Sequence, residues 1–278
     1  MYKKIGVAVA FSPRCEAIIG EAARLQKLFD AELILIHVGE VKPDEKTYLE
    51  EIVKSVDVNI DKVKFIWEQG NPANKILSVG KSEHIDLLIA GALQRESIVK
   101  FYFGSIARKL IRKSNCSILM LINPSIPPQP FKRIVINGTE GVSNINSILQ
   151  GIKFAKLEHA KQVHIFKRIK LFGLSMALAG EEENEHQQEE TRREIVGQEL
   201  EEINRILGDI DTKGLKINVK VASGKSGFEL RKFTERVKAD LLIVSSPTHK
   251  LNFFDRLFPH DMELIMEDLP SNLLIDKS

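Results

Sequence analysis

The sequence predicts an α/β chain made of two tandem, doubly wound parallel-sheet domains. Three observations carry that prediction. Continuous apolar runs of strand length alternate with segments whose apolar residues recur at helical spacing, the pattern of strands buried on both faces between helices. Near the middle, Asn123 to Pro130 (NPSIPPQP) places four prolines in eight residues, a stiff and extended linker. After it the pattern restarts, and ASGKSGFELRKFTERVKADLLIVSS lines up with EQGNPANKILSVGKSEHIDLLIAGA at a constant offset. The expected division is a first repeat over 1–122, a Pro-rich linker over 123–131 and a second repeat over 132–278. With 278 residues in all, each half is long enough to bury its own core.

Taken in order, Ile5 to Ala10 reads as the first buried strand. Ser12-Pro13 offers an N-cap followed by proline, and Ile18, Ala22, Leu25 and Phe29 then recur at helical spacing. Leu33 to Val38 is the second strand, and Pro43 opens a polar helix with Leu49, Ile52, Val53 and Val56 on one face. Val63 to Trp67 is the third strand. Gly70 ends it, and Asn71-Pro72 starts a helix through Ile76 and Val79. Asp86 to Ala90 is the fourth strand, Ser105 to Lys113 a helix and Ser117 to Leu121 the fifth strand. Such alternation demands right-handed crossovers and a parallel sheet.

The second half repeats the opening with a strand over Arg133 to Asn137, then a helix carrying Ile145, Ile148, Leu149 and Ile152, then a strand over Gln162 to Phe166. An insertion follows at about 170–190. Its apolar part, Leu171 to Gly180 (LFGLSMALAG), could cover a hydrophobic patch or meet a protein partner. Its acidic part, Glu181 to Glu190, suits a solvated helix start and leads to a long helix with Val196, Leu200, Ile203 and Leu207 on one face.

The chemistry-bearing stretch is Asp86 to Leu121. A buried strand ending in Gly91 feeds a basic loop, and Gly104-Ser105 opens a helix. That order puts bare backbone N–H groups and a positive helix end in one crevice, the usual way an α/β sheet receives a phosphate. The competing reading is that both glycines only make turns. At these residues the chain resembles the universal stress protein family, whose nucleotide-binding members carry G-x2-G-x9-G-(S/T). Gly91 stands at the first position, Gln94 replaces the second glycine, and Gly104-Ser105 stand at the end.

The resemblance implies a Rossmann-like fold of the adenine nucleotide alpha hydrolase type. It also implies a cytoplasmic stress-response role without catalysis, and ATP or AMP held by Val9, Ala10, Val38, Ala90, Gly91, Gln94, Gly104, Ser105 and Ile106. Two departures weigh against the ligand. The family's strand-end aspartate is Ala10 here, which accepts no side-chain hydrogen bond, and Asn137 stands in its place in the second repeat. The second repeat aligns Ser245, Thr248, Phe258 and Pro259 with the motif; Pro259 lacks the N–H a phosphate would use, so no nucleotide is expected there. The alternative is therefore a nucleotide-free interaction module. Because family members pair through their last strands, the halves are expected to form an intramolecular pseudo-dimer through Ser117–Leu121 and Asn272–Ile275.

Other function classes find little support. A net charge of +2 argues against a nucleic-acid or membrane-surface binder, and no apolar run is of membrane-spanning length. Gly224-Lys225-Ser226 lacks the glycine a P-loop needs at 219, where Val219 stands. His37, His249 and His260 belong to no metal-ligand pattern, and Cys15 and Cys116 read as reduced core residues. Arg95 and Lys100 are the loop cations placed to reach an anion.

Overall fold

The computed structural model of the chain describes residues 1–94, 101–138, 143–169, 185–223, 226–245, 265 and 267–277. It divides into two compact units, Met1–Pro130 with Met266–Ser278, and Phe131–Ile265.

The first unit runs β1 (Lys4–Val9), α1 (Cys15–Phe29), β2 (Glu32–Val38), α2 (Pro43–Ser55), β3 (Val63–Glu68), α3 (Pro72–Ser82) and β4 (Leu87–Gly91). A two-residue ribbon of β5 (Leu93–Gln94) and β6 (Phe101–Tyr102) follows, then α4 (Ser105–Lys113) and β7 (Ser117–Leu121). The sheet order is β3-β2-β1-β4-β7, all parallel. Ile5, Val7, Leu33, Leu87, Ile89 and Leu119 are fully buried, each stabilising the unit by about 1.5–3 kcal/mol relative to an exposed side chain.

Two local readings are corrected. The first helix begins at Cys15 with Arg14 as its N-cap, not at Ser12-Pro13. Ser12 instead makes the preceding turn, its N–H donating to the Ala10 carbonyl at 2.9 Å and its own carbonyl accepting from Cys15 N–H at 2.9 Å. The fourth strand starts one residue late because Asp86 has another task. Its carboxylate accepts the backbone N–H groups of Lys3 (2.7 Å) and Lys4 (3.1 Å), pinning the start of β1. Asn71, by contrast, caps α3 as its position suggests, accepting from Asn74 N–H at 3.1 Å.

The second unit runs β8 (Arg133–Asn137), α5 (Ser143–Leu157), β9 (Gln162–Ile169), α6 (Glu185–Gly208), β10 (Lys216–Ser223), α7 (Ser226–Arg236) and β11 (Leu241–Ser245). Its strands are parallel in the order β10-β9-β8-β11. Asp240 repeats the work of Asp86, accepting from Lys132 N–H (2.8 Å) and Arg133 N–H (2.7 Å). The recurrent DLLI of the two halves is thus a strand plus the clamp that aligns its neighbour. Of the apolar positions expected along α6, Ile203 is buried, while Val196, Leu200 and Leu207 are half-buried. Leu171–Gly180 and residues 181–184 lie outside the described residues.

The last strand, β12 (Asn272–Asp276), groups with the first unit and lies antiparallel to β7, with Leu273 opposite Met120, Leu274 opposite Leu119 and Ile275 opposite Ile118. This is the end-strand pairing expected between Ser117–Leu121 and Asn272–Ile275. Among the described residues no helix is long and apolar enough to cross a membrane.

A pH dependence arises in β9. Burial holds the His164 imidazole below its ordinary value, and the Arg133 charge adds to the effect. The unfolded chain therefore takes up that proton first. The stabilisation is complete above the unfolded value of about 6.5 and is lost as pH falls through the lower folded value. Urea midpoints at pH 8 and pH 5 will differ less in His164→Gln than in the natural protein; an unchanged difference would clear His164 of the effect.

Candidate functional site

The site predicted from sequence lies where the strands of the first unit end. The register Val7 opposite Ile89 carries β1 and β4 forward two further residues, to Val9 and Gly91, before both stop. Val9 and Ala90 are buried, Val38 and Gly91 half-buried, and Ala10 exposed. The ribbon pairs Leu93 with Tyr102 and Gln94 with Phe101 in antiparallel register. Gly104 caps α4 in an extended conformation, and Ser105 and Ile106 expose the helix's first turn. The N–H groups of a first turn have no intrahelical acceptor and carry the positive end of the helix dipole.

Both motif glycines face apolar side chains. A Cβ at Gly91 would stand 2.7 Å from Ile18 Cδ1, and one at Gly104 would stand 2.6 Å from Leu93 Cδ1. A Cβ at either position would need the end of that isoleucine or leucine side chain to shift, so packing favours glycine there without requiring it. Gln94 lies in β5 opposite Phe101. Arg95 and Lys100 lie outside the described residues. Arg108 is committed elsewhere, its Nε donating to the Phe103 carbonyl at 3.1 Å.

Two features were not foreseen. Arg14 reaches from the start of α1 to donate to the carbonyls of Ala92 (2.6 Å) and Ile122 (2.7 Å), tying the exits of β4 and β7 together. Its guanidinium fork suits two convergent carbonyls, and burial lowers its basicity. His37 forms the second. Its ring lies 4.7 Å from Phe11 and 5.8 Å from Trp67 by centroids. Its Nδ1 meets the Val9 carbonyl at 3.2 Å, which makes Nδ1 the donor, so in the neutral ring the enclosed Nε2 is an acceptor facing the bare Cα side of Gly39. This places aromatic rings beside Val9. The period-two spacing of Phe65 and Trp67 was the available signal for them.

In the second unit Asn137 ends β8 and Ser245 ends β11, while Gly224, Lys225, Thr248, His249, Phe258, Pro259 and His260 lie outside the described residues. Cys15 is buried and Cys116 half-buried; both are free thiols, with burial pushing Cys15 up to about 11 and Cys116 also upward. Such thiols are poor nucleophiles. Among the described residues no group of three or more His, Cys, Asp or Glu could hold a metal ion.

The universal stress protein family model matches residues 1–55 and 44–121. A universal stress protein of Methanocaldococcus jannaschii is 25% identical over 143 residues, covering 45% of this chain and 84% of its own. One of Bacillus subtilis is 23% identical over 147 residues, covering 44% and 99%. Over 99% of this chain the fold is similar to two solved structures. One is a universal stress protein from Archaeoglobus fulgidus (TM-score 0.62, 12% identity, 98% of that chain). The other is a functionally unknown protein from Pseudomonas aeruginosa (TM-score 0.67, 16% identity, 93% of that chain). At these identities the likeness is one of fold. The match to the universal stress protein family is carried by residues 1–121, which hold the motif and the sheet exit described above.

Proposed function

We propose that this is a non-enzymatic, cytoplasmic stress-response protein whose first repeat, residues 1–122, binds ATP or AMP as a conformational ligand. The observation that carries the reading is the exposed first turn of α4 at Ser105 and Ile106, which follows Gly104 in the segment that leads on from β4 through the short ribbon. Phosphate would meet the N–H groups of that turn, and the base would lie against Val9 and Val38. The second repeat, residues 132–278 beyond the linker, binds no nucleotide on this reading and serves as a structural partner. The pairing of β12 with β7 supports an intramolecular pseudo-dimer.

A second reading is a ligand-free interaction module. Ala10 and the apolar neighbours of both glycines favour it. The experiment that separates the two is to denature freshly purified protein, chromatograph the supernatant for nucleotide, and titrate the native protein calorimetrically with ATP and AMP. We expect one equivalent per chain, with binding lost in Gly104→Val. No nucleotide and no heat at millimolar ligand would leave the interaction module as the account. Two equivalents would place a second site in the other repeat.

A further inference from the structure

We propose that Leu93 is an autoinhibitory stopper on the amino end of α4, which a ligand's phosphate must displace to reach the bare face of Gly104. The proposal rests on the nucleotide reading. Leu93 Cδ1 and Cγ lie 2.6 Å and 3.5 Å from where a Cβ at Gly104 would stand. The volume that glycine vacates, through which backbone approaches a phosphate, is thus occupied by leucine. The two sides of this contact differ in freedom. Phe103, next to Gly104, is 1% exposed and its carbonyl takes the Arg108 guanidinium, so the glycine side is anchored. Leu93 is 49% exposed and sits in a ribbon of two residues per strand, so its side chain can swing into water at little cost in burial. Gly91 makes the contrast: its neighbour Ile18 belongs to a fifteen-residue helix packed on the sheet, so the backbone that carries that contact is fixed.

A stopper and a plain packing contact predict opposite effects of truncation. If Leu93 competes with ligand, shortening it tightens binding. If it braces Gly104 in the binding geometry, shortening it weakens binding. The test is calorimetric titration of the full chain with ATP, comparing the natural protein with Leu93→Ala and Leu93→Met. We expect Leu93→Ala to bind about fivefold to tenfold tighter, the scale of releasing a half-exposed leucine contact, and Leu93→Met to stay within about twofold. Leu93→Val, which withdraws the δ carbons but keeps a strand-forming side chain, gives the same reading should alanine loosen the ribbon.

Natural protein and Leu93→Ala binding equally, or the variant binding less tightly, would overturn the stopper and leave the nucleotide reading standing. Binding by Leu93→Ala alone would establish the stopper and show the natural protein closed to the ligand. Heat from neither would overturn both.

Discussion

Replacing Asp276 by alanine will destabilise the protein by about 2–4 kcal/mol and loosen the last strand from β7. Asp276 is buried in the first unit, and its Oδ1 accepts from Ser117 Oγ at 3.0 Å and from Tyr2 OH at 3.3 Å. Ser117 Oγ in turn accepts the N–H of Lys277 at 3.0 Å. One step further, the Lys277 ammonium donates to the carbonyls of Ser114 (2.6 Å) and Ile111 (3.0 Å) at the carboxyl end of α4. Alanine would strand the O–H donors of two buried hydroxyls, at about 1–3 kcal/mol each, although Tyr2 and Ser117 also hydrogen-bond one another and so the sum is not fully realised. Asp276→Asn retains an acceptor and should cost less. Urea denaturation measures the loss, and hydrogen exchange at Leu273 to Ile275 locates it. A change below about 0.5 kcal/mol would show that β12 is held by its apolar face alone. The clasp is also sensitive to alkali. Burial raises the Tyr2 phenol above its ordinary range, and the Asp276 charge adds to this. The contribution is therefore complete below the unfolded value of about 10 and is lost as pH rises toward the folded one.

The legible and illegible parts of this chain divide along a physical line. Helix α4 and strands β7 and β8 lie where the sequence puts them, because a Gly-Ser start and unbroken apolar runs are local signals. Strand β9 runs past Phe166 to Ile169, a length the charged Lys167-Arg168 pair disguises, since Lys167 is buried only through acids supplied by α6. The β10 strand, with Lys216 and Lys220 alternating along KINVKVAS, reads as polar because it is an edge strand. At the site, Gly91 and Gly104-Ser105 are visible as residues, but what faces them is not. Ile18 lies 73 positions before Gly91, and no local pattern announces that contact. The same holds for Arg14, whose acceptors Ala92 and Ile122 are remote in sequence. Asp86 and Asp240 stand between these cases. Their recurrence in DLLI marks them, while their duty as backbone clamps appears only when β1 and β8 are placed beside them.

Lys167 supplies the second large effect, in the other unit. It is 4% exposed, and its ammonium meets Glu199 Oε2 at 2.9 Å and Glu202 Oε2 at 3.0 Å, both from α6. Burial by itself lowers a lysine, but hydrogen bonds and charge from the two glutamates outweigh it and the group ends above its ordinary value. That stabilisation is complete below the unfolded value of about 10.4 and is lost as pH rises through the folded one. Lys167→Ala removes the charged hydrogen bonds and the buried stem together, and should cost about 2–3 kcal/mol. The figure is held down by water at the acids: the Glu202 side chain is 52% exposed, so it rehydrates when its partner goes. Lys167→Met restores the packed stem but leaves the buried Glu199 Oε2 without its cation, and should cost about 1–2 kcal/mol, less than alanine. Urea denaturation of the two variants decides what ties α6 to β9. A methionine as costly as alanine would mean that the ion pairs, and not the packed stem, carry the attachment.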